Sequence, residues 1–256
     1  MASMKDIVWV GLVEHLRGQD AVVVFSGFLP VNAAIEAGVK YFMPSEWALD
    51  TAGDMGSTSE QIGPTLLTNM VLAPKRVSHN YVLARAAEGK IKFAVIYAGV
   101  ILESVLRNGF LQFDFAQHTA VLPDNGVNPF AVTSFVTISK AIMSLLNDPS
   151  KFSNRFYHIA DGVLTLQDVL RIFEKESGVS WGKSSYSIKE GSEAALVNLQ
   201  SGVYGVQEFF GTLTAPFFGG LQVFKKLDNE VFGIEDGEVD MRQEMARFAK
   251  EQIKDA

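Results

Sequence analysis

The chain has 256 residues, 48% of them hydrophobic and 20% charged, with a formal net charge of −7 and no cysteine. That length can bury the core of one α/β domain, or of one domain with a lobe, while a net-acidic surface offers nothing attractive to nucleic acid or an anionic membrane. The absence of cysteine excludes disulfides, thiolate metal sites and a Cys nucleophile.

The opening segment MASMKDIVWVGLVEHLR carries Asp6, Glu14 and Arg17 too early for a signal peptide, and no apolar run reaches the ~20 residues of a membrane helix. A cytoplasmic protein is expected. Residues 7–10 (IVWV) read as a short strand, and residues 12–18 as a turn or two of helix stopped by Gly18. Residues 21–26 (AVVVFS) are continuously apolar, as in a strand covered on both faces, and Gly27 breaks them. A helix over 33–37 stops at Gly38, a second buried strand over 40–44 is closed by Pro44, and the small and polar stretch 50–63 reads as a loop over the sheet edge.

Pro74 suits the first turn of a helix running to about Glu88, with Val77, Tyr81 and Ala84 on one face. Residues 91–97 (IKFAVIY) return as a strand. Residues 118–122 and 129–133 read as two strands joined by PDNG, in which Asn125-Gly126 is the strongest hairpin signal. Ser134 caps a helix ended by Asp148-Pro149, residues 155–160 form a strand, and Thr165 caps a helix closed by Gly178. From 181 to 220 the composition shifts to Ser, Gly and Phe, and a last helix covers about 239–253. The strand–helix–strand order predicts a doubly wound parallel sheet, with a ligand site beyond the strand C-termini, near Ser45, Lys75 and Gly99. The expected division is a sheet-bearing part over 1–160, which the resemblance described next makes dinucleotide-binding, and a mainly helical lobe over 161–256.

Four stretches carry a family resemblance: AAIEAGVK-x-F-x-PSE-W at 33–47, Lys75 in its helix, IYAGVILE at 97–104, and NRFYHIADGVLTLQDVL at 154–170. In these residues the chain resembles the NmrA-like and isoflavone-reductase-like branch of the atypical short-chain dehydrogenases, most of all its fungal members. The resemblance implies a Rossmann-like fold and NADP(H) as cofactor. It also implies that the lysine beside the nicotinamide, here Lys75, holds the cofactor ribose and acts as general acid or base. By the same resemblance Ser26, Gly27 and Phe28 lie along the ribose and diphosphate, Pro44 and Ser45 on the nicotinamide side, and Gly99 and Val100 at the pocket wall.

One family feature is missing. The G-x-x-G-x-x-G turn, whose backbone N–H groups and helix N-terminus hold the pyrophosphate, does not occur; the first glycines are Gly11, Gly18 and Gly27. The expectation is an N-terminally shortened reductase of small aromatic or polyketide-like molecules, impaired by that loss. A non-catalytic NmrA-like dinucleotide sensor or protein-binding regulator, and an inactive truncated product, remain as alternatives. Loss of the first strand would leave residues 21–26 as an open edge through which chains self-associate.

The remaining chemistry has simpler readings. His79 shares the Lys75 face one turn later, yet a core or surface histidine is the commoner case. His15, His79, His118 and His158 show no metal spacing, and no G-x-S-x-G elbow supplies a hydrolase nucleophile. The Phe-rich run 208–220 lines an apolar pocket or, more simply, packs as a helix and turn.

Overall fold

A computed structural model of the chain describes residues 11–25, 31–51, 72–220 and 223–255. Four short strands, β1 (Ala21–Val23), β2 (Tyr41–Met43), β3 (Lys92–Tyr97) and β8 (Arg155–His158), form a parallel sheet in the order β1-β2-β3-β8. The register sets Val22 opposite Phe42, Tyr41 opposite Lys92 and Val95 opposite Phe156. Alternation along β3 sends Phe93, Val95 and Tyr97 to one face, where they meet Val31 and Ala34 of helix α2 (Val31–Glu36) and Val82 and Ala86 of helix α3 (Leu72–Ala87). Ala94 and Ile96 go to the other face, against Ile138, Ala141 and Leu145 of helix α5 (Phe135–Asn147). With both faces covered by crossover helices, the strand has no polar side to show, which is why IKFAVIY reads as one apolar run.

Helix α1 occupies 11–16 of the described chain. β1 is shorter than the predicted 21–26, although the Val24 N–H still donates to the Met43 carbonyl at 2.9 Å. Beyond β3, the chain makes β4 (Val100–Ile101), helix α4 (Leu102–Arg107), β5 (Phe113–Asp114), β6 (Thr119–Val121) and β7 (Phe130–Thr133). It later adds β9 (Gly162–Leu164) and β10 (Gly182–Ser184), which complete two small sheets of order β4-β7-β9 and β10-β6-β5.

The predicted hairpin is corrected here. β6 and β7 do not pair: β6 lies between β5 and β10, and β7 between β4 and β9. Asp124, Asn125 and Gly126 all have positive φ, so the turn is as tight as its composition suggests. Its polar groups are spent elsewhere, however. The Asp124 N–H donates to the Tyr186 carbonyl, and the Asp124 carboxylate accepts from the Ile188 N–H, both at 2.9 Å. The turn hands the chain from one sheet to the other.

Four more helices follow: α6 (Leu166–Ser177), α7 (Ile188–Gln200), α8 (Val206–Phe218) and α9 (Met241–Asp255). The two capped ends read from the sequence are present. The Ser134 hydroxyl accepts from the Thr137 N–H, and Thr165 with Asp168 makes a reciprocal capping box at α6, which Gly178 closes at φ 71°.

Burial opposes ionisation of the Asp168 carboxylate, but hydrogen bonds from Arg171 and Thr165, and the charge of Arg242, together hold its pKa at about 2, below the ordinary 3.8. A depressed carboxylate stabilises the fold above its unfolded value, and that stabilisation is lost as the pH falls through the folded one. With the exposed Arg171 and Arg242 screened by solvent, Asp168→Asn is therefore expected to cost about 1 kcal/mol at neutral pH and progressively less from pH 3.8 down to about 2. Urea denaturation of both proteins across this range checks it.

Candidate functional site

Helix α3 carries two apolar stripes, and the sheet buries the one with more polar groups. Leu72, His79, Val82 and Ala86 are buried, with Lys75 half-buried on the same stripe. Val77 and Tyr81 are 69% and 41% exposed and Ala84 is exposed as well, so the face read from the sequence spacing is the outer one. The polar members of the buried stripe have partners waiting: the Lys75 amine donates to the Ser45 carbonyl, and the His79 ring lies 3.4 Å from the Tyr97 hydroxyl. A polar group so partnered no longer bears the cost that would drive it to the surface.

After β2 the chain turns back over the end of β1. The Ser45 hydroxyl donates to the Phe25 carbonyl at 3.2 Å, the Trp47 indole N–H donates to the Val24 carbonyl at 2.7 Å, and the Phe25 and Trp47 rings stack with centroids 5.0 Å apart. Pro44 is buried at the start of this turn. Four residues on, the Ala48 carbonyl accepts from the Gly99 N–H at 2.8 Å, joining the loop to the exit of β3. Gly99 has φ 63°, and a Cβ there would stand 2.6 Å from the Ala131 carbonyl oxygen. Close approach of β7 therefore accounts for the glycine by packing alone. Val100, which follows it, is buried.

The fold thus gathers Pro44, Ser45, Lys75, Gly99 and Val100 at the C-terminal ends of the parallel strands. Ser26, Gly27 and Phe28 lie outside the described residues.

A buried polar layer lies beneath this turn, and sequence reasoning missed it. Glu46, Asp50 and Thr51 are 3%, 0% and 1% exposed. The Thr51 hydroxyl donates to the Glu46 carboxylate at 2.8 Å, and Arg76 donates to the Thr51 carbonyl. Burial pushes the Glu46 carboxyl above its ordinary 4.5, against the pull of Lys75, Thr51 and Arg76 and with a push from Asp50. The Asp50 carboxylate lies 3.0 Å from His158 Nε2 at the end of β8, a pair separated by 108 residues. The only sequence signal for these groups was the acidic residue in the PSE turn itself.

The other histidines are structural in character: His15 contacts the Gly11 carbonyl and His118 packs edge-on against Trp181. No group of His, Asp and Glu among the described residues could hold a metal ion. The Phe-rich run folds as α8, whose Phe210, Phe217 and Phe218 pack around Phe110, as the simpler reading has it. A groove of about 460 Å³ between α4, β5, α6 and α9, floored by Leu111 and Phe173, contains none of the predicted site residues. No helix of the described residues is long and apolar enough to cross a membrane.

No family model matches the chain. It is 29% identical over 198 residues to oxidoreductase aprR of Aspergillus flavus, an alignment covering 75% of this chain and 63% of that protein, so the chain spans just under two thirds of that relative's length. Among solved structures, the leucoanthocyanidin reductase–NADPH complex of Vitis vinifera superposes with a TM-score of 0.66 at 18% identity, covering 96% of this chain and 82% of the other. Isoflavone reductase gives 0.62 at 20% identity, covering 100% and 80%. The fold is the Rossmann-like one of these neighbours, as the family resemblance implies.

Proposed function

We propose that the chain is an NADPH-dependent reductase of small aromatic or polyketide-like molecules, with Lys75 as its proton-bearing group. The observation that carries the reading is the Lys75 amine, directed from α3 to the Ser45 carbonyl at the C-terminal ends of β1, β2 and β3, where open parallel sheets bind their ligands. An oxidoreductase relative and a structural neighbour bound to NADPH support it. Residues 1–160 would carry the dinucleotide and residues 161–256 the substrate lobe, to which β4–β7 lend strands.

The donor set fits one end of the cofactor. A half-buried amine, a serine hydroxyl and the backbone at Gly99 suit a ribose and a nicotinamide amide, while the sequence supplies no glycine turn for the diphosphate. A bound NADPH supplies the hydride. Lys75 then holds, at Nζ, the proton that a developing oxyanion on the substrate requires.

The missing turn favours a second reading, a non-catalytic NmrA-like protein that senses dinucleotides or binds a protein partner. NADPH oxidation by a panel of quinones and aromatic ketones, run at millimolar NADPH, separates the two. Turnover lost on Lys75→Ala supports the reductase. No turnover, with NADPH binding intact, supports the sensor.

Self-association through β1 belongs to the same proposal. Among the described residues β1 pairs on one side alone, with β2, and its Phe25 end is 64% exposed. Light scattering is expected to report oligomers at tens of micromolar protein; a stable monomer would remove this part.

A further inference from the structure

We propose that Glu46 is the positioning residue of Lys75: its carboxylate, fixed by Thr51 beneath the turn, holds the Lys75 ammonium at the Ser45 carbonyl, and taking up a proton loosens that hold. The proposal rests on the reading of Lys75 as the proton-bearing group. It goes beyond it by assigning work to a buried carboxylate that touches neither substrate nor cofactor.

Three observations lead there. Glu46 is adjacent in sequence to the very residue whose carbonyl accepts from Lys75, so a shift of its side chain moves that acceptor. It is 3% exposed, and a carboxylate so buried persists only where cations or donors face it. Lys75 and Arg76, on successive positions of α3, are those cations, and Thr51 is the donor. Arg76 is itself tied to the Thr51 carbonyl, so the Glu46 anion is clamped between the helix and the end of its own loop.

At low dielectric, a fixed anion is a strong attractor for a flexible ammonium, which otherwise samples many rotamers. Lys75 is thereby held over the strand ends rather than left to solvent. Because burial pushes Glu46 to titrate above 4.5, the clamp opens at a higher pH than an ordinary carboxylate would set.

The test is the NMR titration of lysines carrying ¹³C-methyl groups introduced by reductive methylation, which keeps their charge. The Lys75 signal is assigned by its loss in Lys75→Arg. In the wild-type chain it is expected to shift in a step above pH 4.5 as Glu46 takes up its proton. The step should vanish in Glu46→Gln, which keeps the side chain's shape, and return in Glu46→Asp. It should move to higher pH in Thr51→Val, which removes a donor to the charged form. Asp50 on the same loop, Arg76 and His79 on α3, and His158 behind Asp50 are the other charged or titratable groups facing this layer. A step that survives Glu46→Gln belongs to one of them, and it overturns the proposal, as does a wild-type signal without a step. Neither result depends on turnover, so failure here is distinct from failure of the reductase reading.

Discussion

Replacing Lys75 by alanine is expected to slow the chemical step by about 10²–10⁴-fold while leaving the fold nearly as stable as before. On the proposed reading, the rate loss is that of a positioned general acid. The stability loss is small because the hydrogen bond to the Ser45 carbonyl contributes on the order of 1 kcal/mol, and because Glu46, on losing the Lys75 charge, keeps Arg76 and Thr51 facing it and can take up a proton. Arginine should not restore activity: its guanidinium stays protonated and cannot cycle a proton, although it keeps the charge. Single-turnover rates under saturating NADPH, with thermal melts alongside, separate the two effects. A Lys75→Ala protein with full activity on a verified substrate would show that another group carries the proton.

NADPH is expected to bind this chain very weakly. Two or three charge-assisted hydrogen bonds from a glycine-rich turn to the pyrophosphate, at roughly 1.5–3 kcal/mol each, would together contribute ~3–9 kcal/mol. Without that turn in the sequence, a site that would otherwise be micromolar weakens by about two or more decades. On the proposed reading, the amine of Lys75 and the hydroxyl of Ser45 would serve the opposite end of the molecule and would not replace those contacts. Calorimetric titration of the purified chain checks this; a low-micromolar constant would mean that other backbone groups hold the diphosphate. NADH in parallel reads the 2′-phosphate contribution.

The local signals in the sequence were sufficient for elements whose causes lie within a few residues. Ser134 and Thr165 cap their helices because the groups they satisfy are three residues away, and Gly178 closes α6 because only the next turn of chain is involved. The unbroken apolar run of residues 91–97 marks a strand covered on both faces, since alternation by two sends its side chains to both. Strand ends of that sheet, read together with the family resemblance, brought out Pro44, Ser45, Lys75, Gly99 and Val100, and the fold gathers them.

Tertiary structure alone decided the rest. Helical periodicity offered two stripes on α3, and the stripe that faces inward is the one whose Lys75 and His79 find an acceptor on β2's exit and a hydroxyl on β3. Asn125-Gly126 encodes a tight turn but not which strands it joins; the Asp124 carboxylate and N–H found partners more than sixty residues away, and the two strands went to different sheets. Beyond the acidic residue of the PSE turn, the Asp50–His158 pair and the Glu46 layer leave no local trace, because their energy comes from desolvation and from partners that only the packed sheet ends bring near.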